Sequence, residues 1–175
     1  MLVCQRWHSI MLTTPGIHSQ LWIRRSTQRK DIEAAIRGSK SLLDVIVDMN
    51  DEKHGKRLNA RNFHASFMAA AQEAPRWHSL ELVSLPPHGE YMDLQIMQPL
   101  ERLESFKISA GCNLGSSLEP LMIAVSSTAT PFLTSMEAPD ADTILYLVRP
   151  ACLHVFHSLR TLKVSVDSGT SQGVW

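Results

Sequence analysis

A six-residue pattern of apolar side chains recurs along this chain and limits the folds open to it. The pattern has apolar residues at its first, fourth and sixth positions. It fits the segments WHSLEL (77–82), LESFKI (103–108), LTSMEA (133–138) and LRTLKV (159–164), and less cleanly LLDVIV (42–47). The starts at 77, 103, 133 and 159 lie 26, 30 and 26 residues apart, after a first step of 35 residues from position 42. Such alternation predicts strands that bury one face.

Two polar positions inside the pattern also repeat from segment to segment. The third position holds Ser79, Ser105, Ser135 and Thr161, and the fifth position holds Glu81, Lys107, Glu137 and Lys163. If the segments are neighbouring parallel strands, the second set forms a ladder of alternating charge. Opposite charges on adjacent strands contribute roughly 0.2–1 kcal/mol each, so the ladder fixes register more than stability. Chance recurrence of a common strand pattern in an unrelated α/β protein is the alternative interpretation.

Helical patterns occupy the intervals between these segments. An apolar stripe begins near Asn62, ends before Pro75 and consists of Phe63, Phe67, Ala70 and Ala74. Periods of about 20–29 residues, with one strand and one helix in each unit, are typical of leucine-rich-repeat-like solenoids. The expected fold class is therefore α/β: a short leucine-rich-repeat-like solenoid of parallel strands with helices on one face.

The amino-acid composition limits the kinds of binding partner and the cellular compartment that we expect for this protein. The 175 residues include 17 Lys and Arg and 17 Asp and Glu, so no net field attracts nucleic acid or an anionic membrane. No apolar run approaches the ~20 residues that span a bilayer. Three cysteines, far apart and without a CxxC pair, are too few for a disulfide framework. We expect a cytoplasmic or nuclear protein without nucleic-acid or membrane partners.

Residues that could carry chemistry form no recognisable motif. Cys152, His154 and His157 in CLHVFH are the nearest approach to a metal cluster, but zinc needs three or four converging ligands. The segment GCNLGSS (111–117) lacks the lysine of a phosphate-binding loop, and no G-x-S-x-G nucleophile elbow occurs. The sequence therefore predicts no metal, no cofactor and no enzyme activity.

The segment VCQRWHSIMLTTP near the start of the chain has a helical pattern of its own. Val3, Trp7 and Ile10 lie at i, i+4 and i+7 on one helix face, and Pro15 follows the expected helix end. This segment resembles the last third of an F-box in the F-box-like proteins of mushroom-forming fungi, where the form V-C-[KR]-R-W-x-x-[IV]-A-x-x-T-P-x-L-W occurs. The matching residues are Val3, Cys4, Arg6, Trp7, Ile10, Thr14 and Pro15. His18 departs from the family, which usually has Trp there.

The resemblance continues through the loosely leucine-rich region to about residue 166. It implies an F-box whose first two thirds are absent, so we expect residues 1–22 to be a remnant of that module that forms an N-terminal helical cap. Residues 23–166 would form the solenoid, and residues 167–175 a disordered tail. In the family, the complete module docks on the Skp-type adaptor of a cullin–RING ubiquitin ligase, and the repeats hold the substrate.

The leading functional hypothesis is a non-catalytic protein–protein interaction module that resembles the substrate-binding part of an F-box ubiquitin-ligase receptor. Its candidate partner-binding surface is the outward strand face that carries the two repeated polar positions. The candidate adaptor-facing or cap residues are Val3, Trp7, Ile10 and Pro15. Three alternatives stay open: a functional F-box substrate adaptor of a cullin–RING ligase, an incomplete gene product without independent function, and a small α/β enzyme.

Overall fold

The computed structural model describes residues 19–24, 26–48, 60–84, 96–111, 130–140, 143 and 158–164. Six strands lie in these ranges: β1 (Ser19–Arg24), β2 (Leu43–Asp48), β3 (Trp77–Ser84), β4 (Ser105–Gly111), β5 (Ser135–Ala138) and β6 (Thr161–Val164). Helix α1 (Arg29–Gly38) connects β1 to β2. Helix α2 (Ala60–Ala71) and a turn of 3-10 helix (Ala74–Arg76) lie between β2 and β3.

The six strands form one parallel sheet in the order in which they follow along the chain. Parallel neighbours require a crossover from the end of one strand to the start of the next, and α1 and α2 belong to the first two of these crossovers. The expectation of an α/β fold with a parallel sheet is confirmed. Five strands fall on the five pattern segments, whereas β1 matches none of them and brings the number of strands to six.

Alternate side chains of the strands are buried in one apolar core. In β3, Leu80 and Leu82 are 1% and 0% exposed, whereas Ser79 and Glu81 are only half-buried. The buried residues in the other strands of this alternation are Leu21 and Ile23, Val45 and Val47, Phe106 and Ile108, and Met136 and Ala138. Burial of alternate residues on β1 to β5 gives this part of the sheet one apolar face and one polar face, whereas Leu162 and Val164 of the last strand, β6, are exposed.

Both helices lie against the apolar face of the sheet. Ile32 of α1 and Phe63 and Phe67 of α2 belong to the same buried cluster as the apolar strand residues. The ring of Phe67 meets the indole of Trp77 edge-on at a centroid distance of 6.2 Å. The indole Nε1 of Trp77 donates a hydrogen bond to the carbonyl of Ala70 at 3.2 Å, so the end of α2 is fixed to the start of β3.

Arg76 joins two connections that are distant in sequence. Its Nη2 donates hydrogen bonds to the carbonyls of Ser39 at 2.6 Å and Ser41 at 2.8 Å, and its Nη1 lies 2.9 Å from Oε2 of Glu73. The two carbonyls belong to the connection between α1 and β2, whereas Arg76 immediately precedes β3. A planar guanidinium with several donors suits this position, because one side chain satisfies several acceptors at once.

The turns that precede successive strands repeat the same contacts. Backbone N–H groups of Glu104, Thr134 and Arg160 donate to the carbonyls of His78, Glu104 and Thr134, respectively, at 2.9, 3.0 and 2.8 Å. Leu103 and Leu133, at the first pattern position, are both 0% exposed, and Leu159 is partly buried against the same core. The units from β3 to β6 therefore stack through equivalent residues.

The first pattern segment is displaced by one residue at its start. Leu43 takes the buried first position and pairs with Trp77, and the strands then shift so that Asp44 pairs with Ser79. His78 is the extra residue that this shift leaves in β3. The later positions of the segment follow the pattern, since they pair in register with β3.

Strand β1 crosses residue 22, where the sequence suggested a boundary between an F-box remnant (1–22) and the repeats (23–166). It pairs with β2 from Ser19 to Arg24 and is therefore part of the sheet. The helical cap predicted before this strand, with Val3, Trp7, Ile10 and Pro15, lies outside the described residues, and so does the predicted tail (167–175).

The repeat register makes a prediction about the turn before β5. Leu133→Ala removes a side chain that is 0% exposed and leaves a cavity, so we expect the free energy of unfolding to fall by about 2–5 kcal/mol. Phe132→Ala is the matched control, because its side chain is 57% exposed and should cost about 0.5 kcal/mol or less. Urea denaturation followed by circular dichroism measures both. Equal losses in the two variants would contradict the register.

Candidate interaction surface

The face of the sheet opposite the core, called here the outward face, is mainly polar. It carries the alternate residues that the core does not take, and among them Glu81 of β3 and Lys107 of β4 are about a third or more exposed. The described helices lie on the other face. The outward face is therefore the broad surface that the described residues offer to a partner.

The small hydroxyl residues of the pattern lie side by side on the outward face. Successive strands pair Ser79 with Ser105, Ser105 with Ser135 and Ser135 with Thr161. We call these four residues the hydroxyl column. The three serines are half-buried and Thr161 is exposed. Because these side chains are short, the longer charged side chains of the neighbouring pattern position extend further from the sheet.

The charged residues of the pattern form a second column, the charge ladder. Strand pairing places Glu81 beside Lys107, Lys107 beside Glu137, and Glu137 beside Lys163. The Nζ of Lys107 lies 3.0 Å from Oε1 of Glu81 and 3.9 Å from Oε1 of Glu137. Within the described residues, Lys163 is exposed and makes no ion pair within 4.0 Å.

The ladder changes the acidity of its central lysine. A hydrogen bond to the Glu81 carboxylate, followed by the charge of Glu81 and that of Glu137, raises the pKa of Lys107 above its ordinary value, although burial opposes this. The side chain of Lys107 is 40% exposed, so solvent weakens each pair. The ladder therefore orders its side chains and contributes modestly to stability.

A further chain of polar contacts crosses the outward face and was not predicted. Oδ1 of Asp44 accepts a hydrogen bond from Oγ of Ser79 at 2.6 Å and lies 3.1 Å from Nδ1 of His78. Nε2 of the same imidazole lies 3.5 Å from Oε2 of Glu104. The sequence contained one signal for these contacts: a carboxylate, Asp44, occupies the pattern position that holds Ser or Thr in the other segments.

An aromatic residue marks the β1 end of the outward face. Trp22 lies beside Ile46 in the sheet and is 39% exposed, and the guanidinium carbon of Arg24 is 4.4 Å from its ring centroid. Ile46 is 8% exposed although it points away from the core. The ladder is therefore continued towards β1 by two apolar side chains: Ile46 at the fifth position of the first pattern segment, and Trp22, which the repeat pattern did not identify because β1 lies outside it.

The other candidates from the sequence are not brought to this surface by any described contact. Val3, Trp7, Ile10 and Pro15, and likewise Cys152, His154 and His157, lie outside the described residues. Among the residues that are described, no group of three or more His, Cys, Asp or Glu is arranged to hold a metal ion. Within the same ranges, no helix has the length and apolar character needed to cross a bilayer.

Comparison of the chain with protein-family models, with curated proteins and with solved structures finds no match. The geometry of the outward face is therefore the basis for any functional conclusion.

The raised pKa of Lys107 predicts a stability effect that depends on pH. A protonated lysine that is stabilised in the folded state contributes fully below its unfolded pKa, for which 10.5 is the ordinary value, and the contribution is lost as pH rises through the folded pKa. We expect Lys107→Met to lower the free energy of unfolding by about 0.5–1 kcal/mol near neutral pH, discounted for exposure. Above pH 10.5 the difference from the wild type should shrink.

The control for this prediction is Lys163→Met, because Lys163 makes no ion pair among the described residues. Near neutral pH its loss of unfolding free energy should be smaller than that of Lys107→Met, because no ion pair among the described residues is removed. Urea denaturation of the three proteins at each pH measures the effect. A Lys107→Met difference that stays constant across pH 10.5 would show that the ladder does not stabilise the charged lysine.

Proposed function

We propose that this chain is a non-catalytic protein–protein interaction module whose outward face binds another protein. The observation that carries the proposal is the strand register, which aligns the hydroxyl column and the charge ladder across four adjacent strands. A face built from repeated positions offers equivalent contact groups at regular intervals. Repeat proteins use such extended strand faces for binding.

The stacking of the units supports a short leucine-rich-repeat-like solenoid. The strands follow one another across the sheet in chain order, and the backbone contacts before β4, β5 and β6 involve equivalent residues. In a solenoid each unit contacts mainly its neighbours, so local contacts of this kind are the ones expected. The proposal assigns this architecture to the region from β1 to β6.

The chemistry of the outward face suits a protein partner better than a nucleic acid. Glu81 and Glu137 flank Lys107, and the whole chain has equal numbers of acidic and basic residues. Nucleic-acid binding is dominated by phosphate contacts and favours a basic surface. Mixed charges that match those of a partner instead direct association and fix orientation, and their effect falls with salt.

The resemblance of residues 3–15 to the end of an F-box suggests the biological setting of this binding. In that setting the bound protein would be a substrate of a cullin–RING ubiquitin ligase. Direct titration of the purified chain with a purified Skp-type adaptor tests the adaptor part separately. Saturable binding would support a functional F-box substrate adaptor, whereas its absence would limit the role of this chain to holding the partner.

A bulky residue in the hydroxyl column should block the partner. Ser105→Tyr places a large side chain in the middle of the outward face, and tyrosine is well tolerated in strands. We expect proteins that co-purify with the tagged chain through this face to be reduced about tenfold, which corresponds to about 1.4 kcal/mol of binding free energy. Quantitative mass spectrometry of the co-purified proteins measures the change.

Ala35→Tyr is the matched control, because Ala35 is an exposed residue of α1, and both helices lie on the opposite face of the sheet. The control variant should retain the same co-purified proteins as the wild type. Circular dichroism must show that both variants are folded. Proteins that are retained by Ser105→Tyr and lost with Ala35→Tyr would transfer the binding site to the helical side.

A further inference from the structure

The order of charges in the ladder has a symmetry of its own. Across β3, β4, β5 and β6 the signs run negative, positive, negative, positive, at Glu81, Lys107, Glu137 and Lys163. Read in the reverse direction, from β6 to β3, the signs are positive, negative, positive, negative, which is the opposite charge at each of the four positions. A second copy of the same face, turned so that β3 meets β6, therefore presents an opposite charge at every position.

We propose that the outward face pairs with the outward face of a second copy of this chain, about a two-fold axis that runs parallel to the strands between β4 and β5. This rotation places Glu81 opposite Lys163 of the other copy and Lys107 opposite Glu137. It also keeps each residue at its own height along the strand. A two-fold axis perpendicular to the strands would instead place each charge opposite itself, so charge complementarity selects one arrangement.

The neighbouring hydroxyl column permits the close approach that this pairing needs. Under the same rotation Ser79 meets Thr161 and Ser105 meets Ser135, so only small side chains face one another there. Packed sheets lie about 10 Å apart with their strands nearly aligned, a distance that long lysine and glutamate side chains bridge. Isologous dimers of this kind use one self-complementary patch on each copy.

The ladder side chains are exposed enough to make contacts with a second copy. The side chains of Lys107, Glu81 and Glu137 are 40%, 31% and 35% exposed, although they already pair within the chain. Lys163 makes no ion pair among the described residues and is exposed. The surface pairs are individually weak and screened by salt, so the dimer is weak and most populated at low ionic strength.

The decisive experiment mixes two charge-reversed variants of the full chain. In Lys107→Glu homodimers two glutamates face two glutamates, and in Glu137→Lys homodimers two lysines face two lysines. A mixed dimer of the two variants has opposite charges at all four positions. We expect each variant alone to dimerise about tenfold more weakly than the wild type or worse, and the equimolar mixture to recover wild-type affinity.

Sedimentation velocity over a series of protein concentrations at low salt measures the dimer, and added salt should dissociate it. Lys30→Glu is the control, because Lys30 is an exposed residue of α1 and its reversal should leave dimerisation unchanged. A loss of fold in either variant could not produce recovery upon mixing. A wild type that stays monomeric at every concentration, or a mixture that fails to recover, would overturn the proposal.

This inference does not depend on the identity of any other partner, since the purified chain alone is tested. Its failure would leave the proposed binding function standing. If both hold, the partner and the second copy occupy the same residues, so a partner should compete with dimerisation.

Discussion

The alternation of buried and outward side chains in parallel strands is the constraint on which the rest of this structure depends. In β3, Leu80 and Leu82 are almost completely buried while Ser79 and Glu81 point away from the core. A slip of one residue would move the leucines into water and a carboxylate into the core, and such exchanges cost several kcal/mol. Burial therefore fixes the register, and the register in turn aligns the hydroxyl column and the charge ladder. The outward face is ordered because the inward face is apolar.

Sequence reasoning predicted the strands that follow the repeat and the helix that contains Phe63 and Phe67, and it missed strand β1, which does not follow the repeat. Glu81 and Lys107 could be paired from the sequence because both occupy the fifth position of a pattern whose apolar members fix the spacing. Strand β1 was missed as a unit because its Leu21 and Ile23 alternate without the full pattern. The bulge that leaves His78 as an extra residue could not be foreseen, since it depends on how β2 and β3 meet at their starts. The unequal distances from Lys107 to its two carboxylates likewise depend on three-dimensional geometry.

The outward face combines modest contributions to stability with ordered side chains, and this combination favours recognition. Exposed ion pairs contribute little to folding, so most of the free energy of the fold comes from the core beneath. Yet Lys107 is held by two carboxylates, and Asp44 orders Ser79 and His78 through short contacts. Side chains that are already ordered lose less conformational entropy when a partner binds. Pre-ordering of this kind is a more specific reason to regard the face as a binding surface than its polarity alone.

The charged groups of the ladder can form ion pairs within the chain or with a partner. An ion pair within the chain can therefore be replaced by one to a partner. When Lys107 turns towards a carboxylate of another molecule, it weakens a solvent-screened contact and leaves the buried leucines untouched. The cost of the exchange is therefore small compared with the stability of the core. In β3, β4 and β5 buried and outward residues alternate, so folding and recognition use adjacent positions of the same strand. For this reason substitutions on the outward face should change binding with little loss of fold, whereas substitutions at the adjacent inward positions should remove both together.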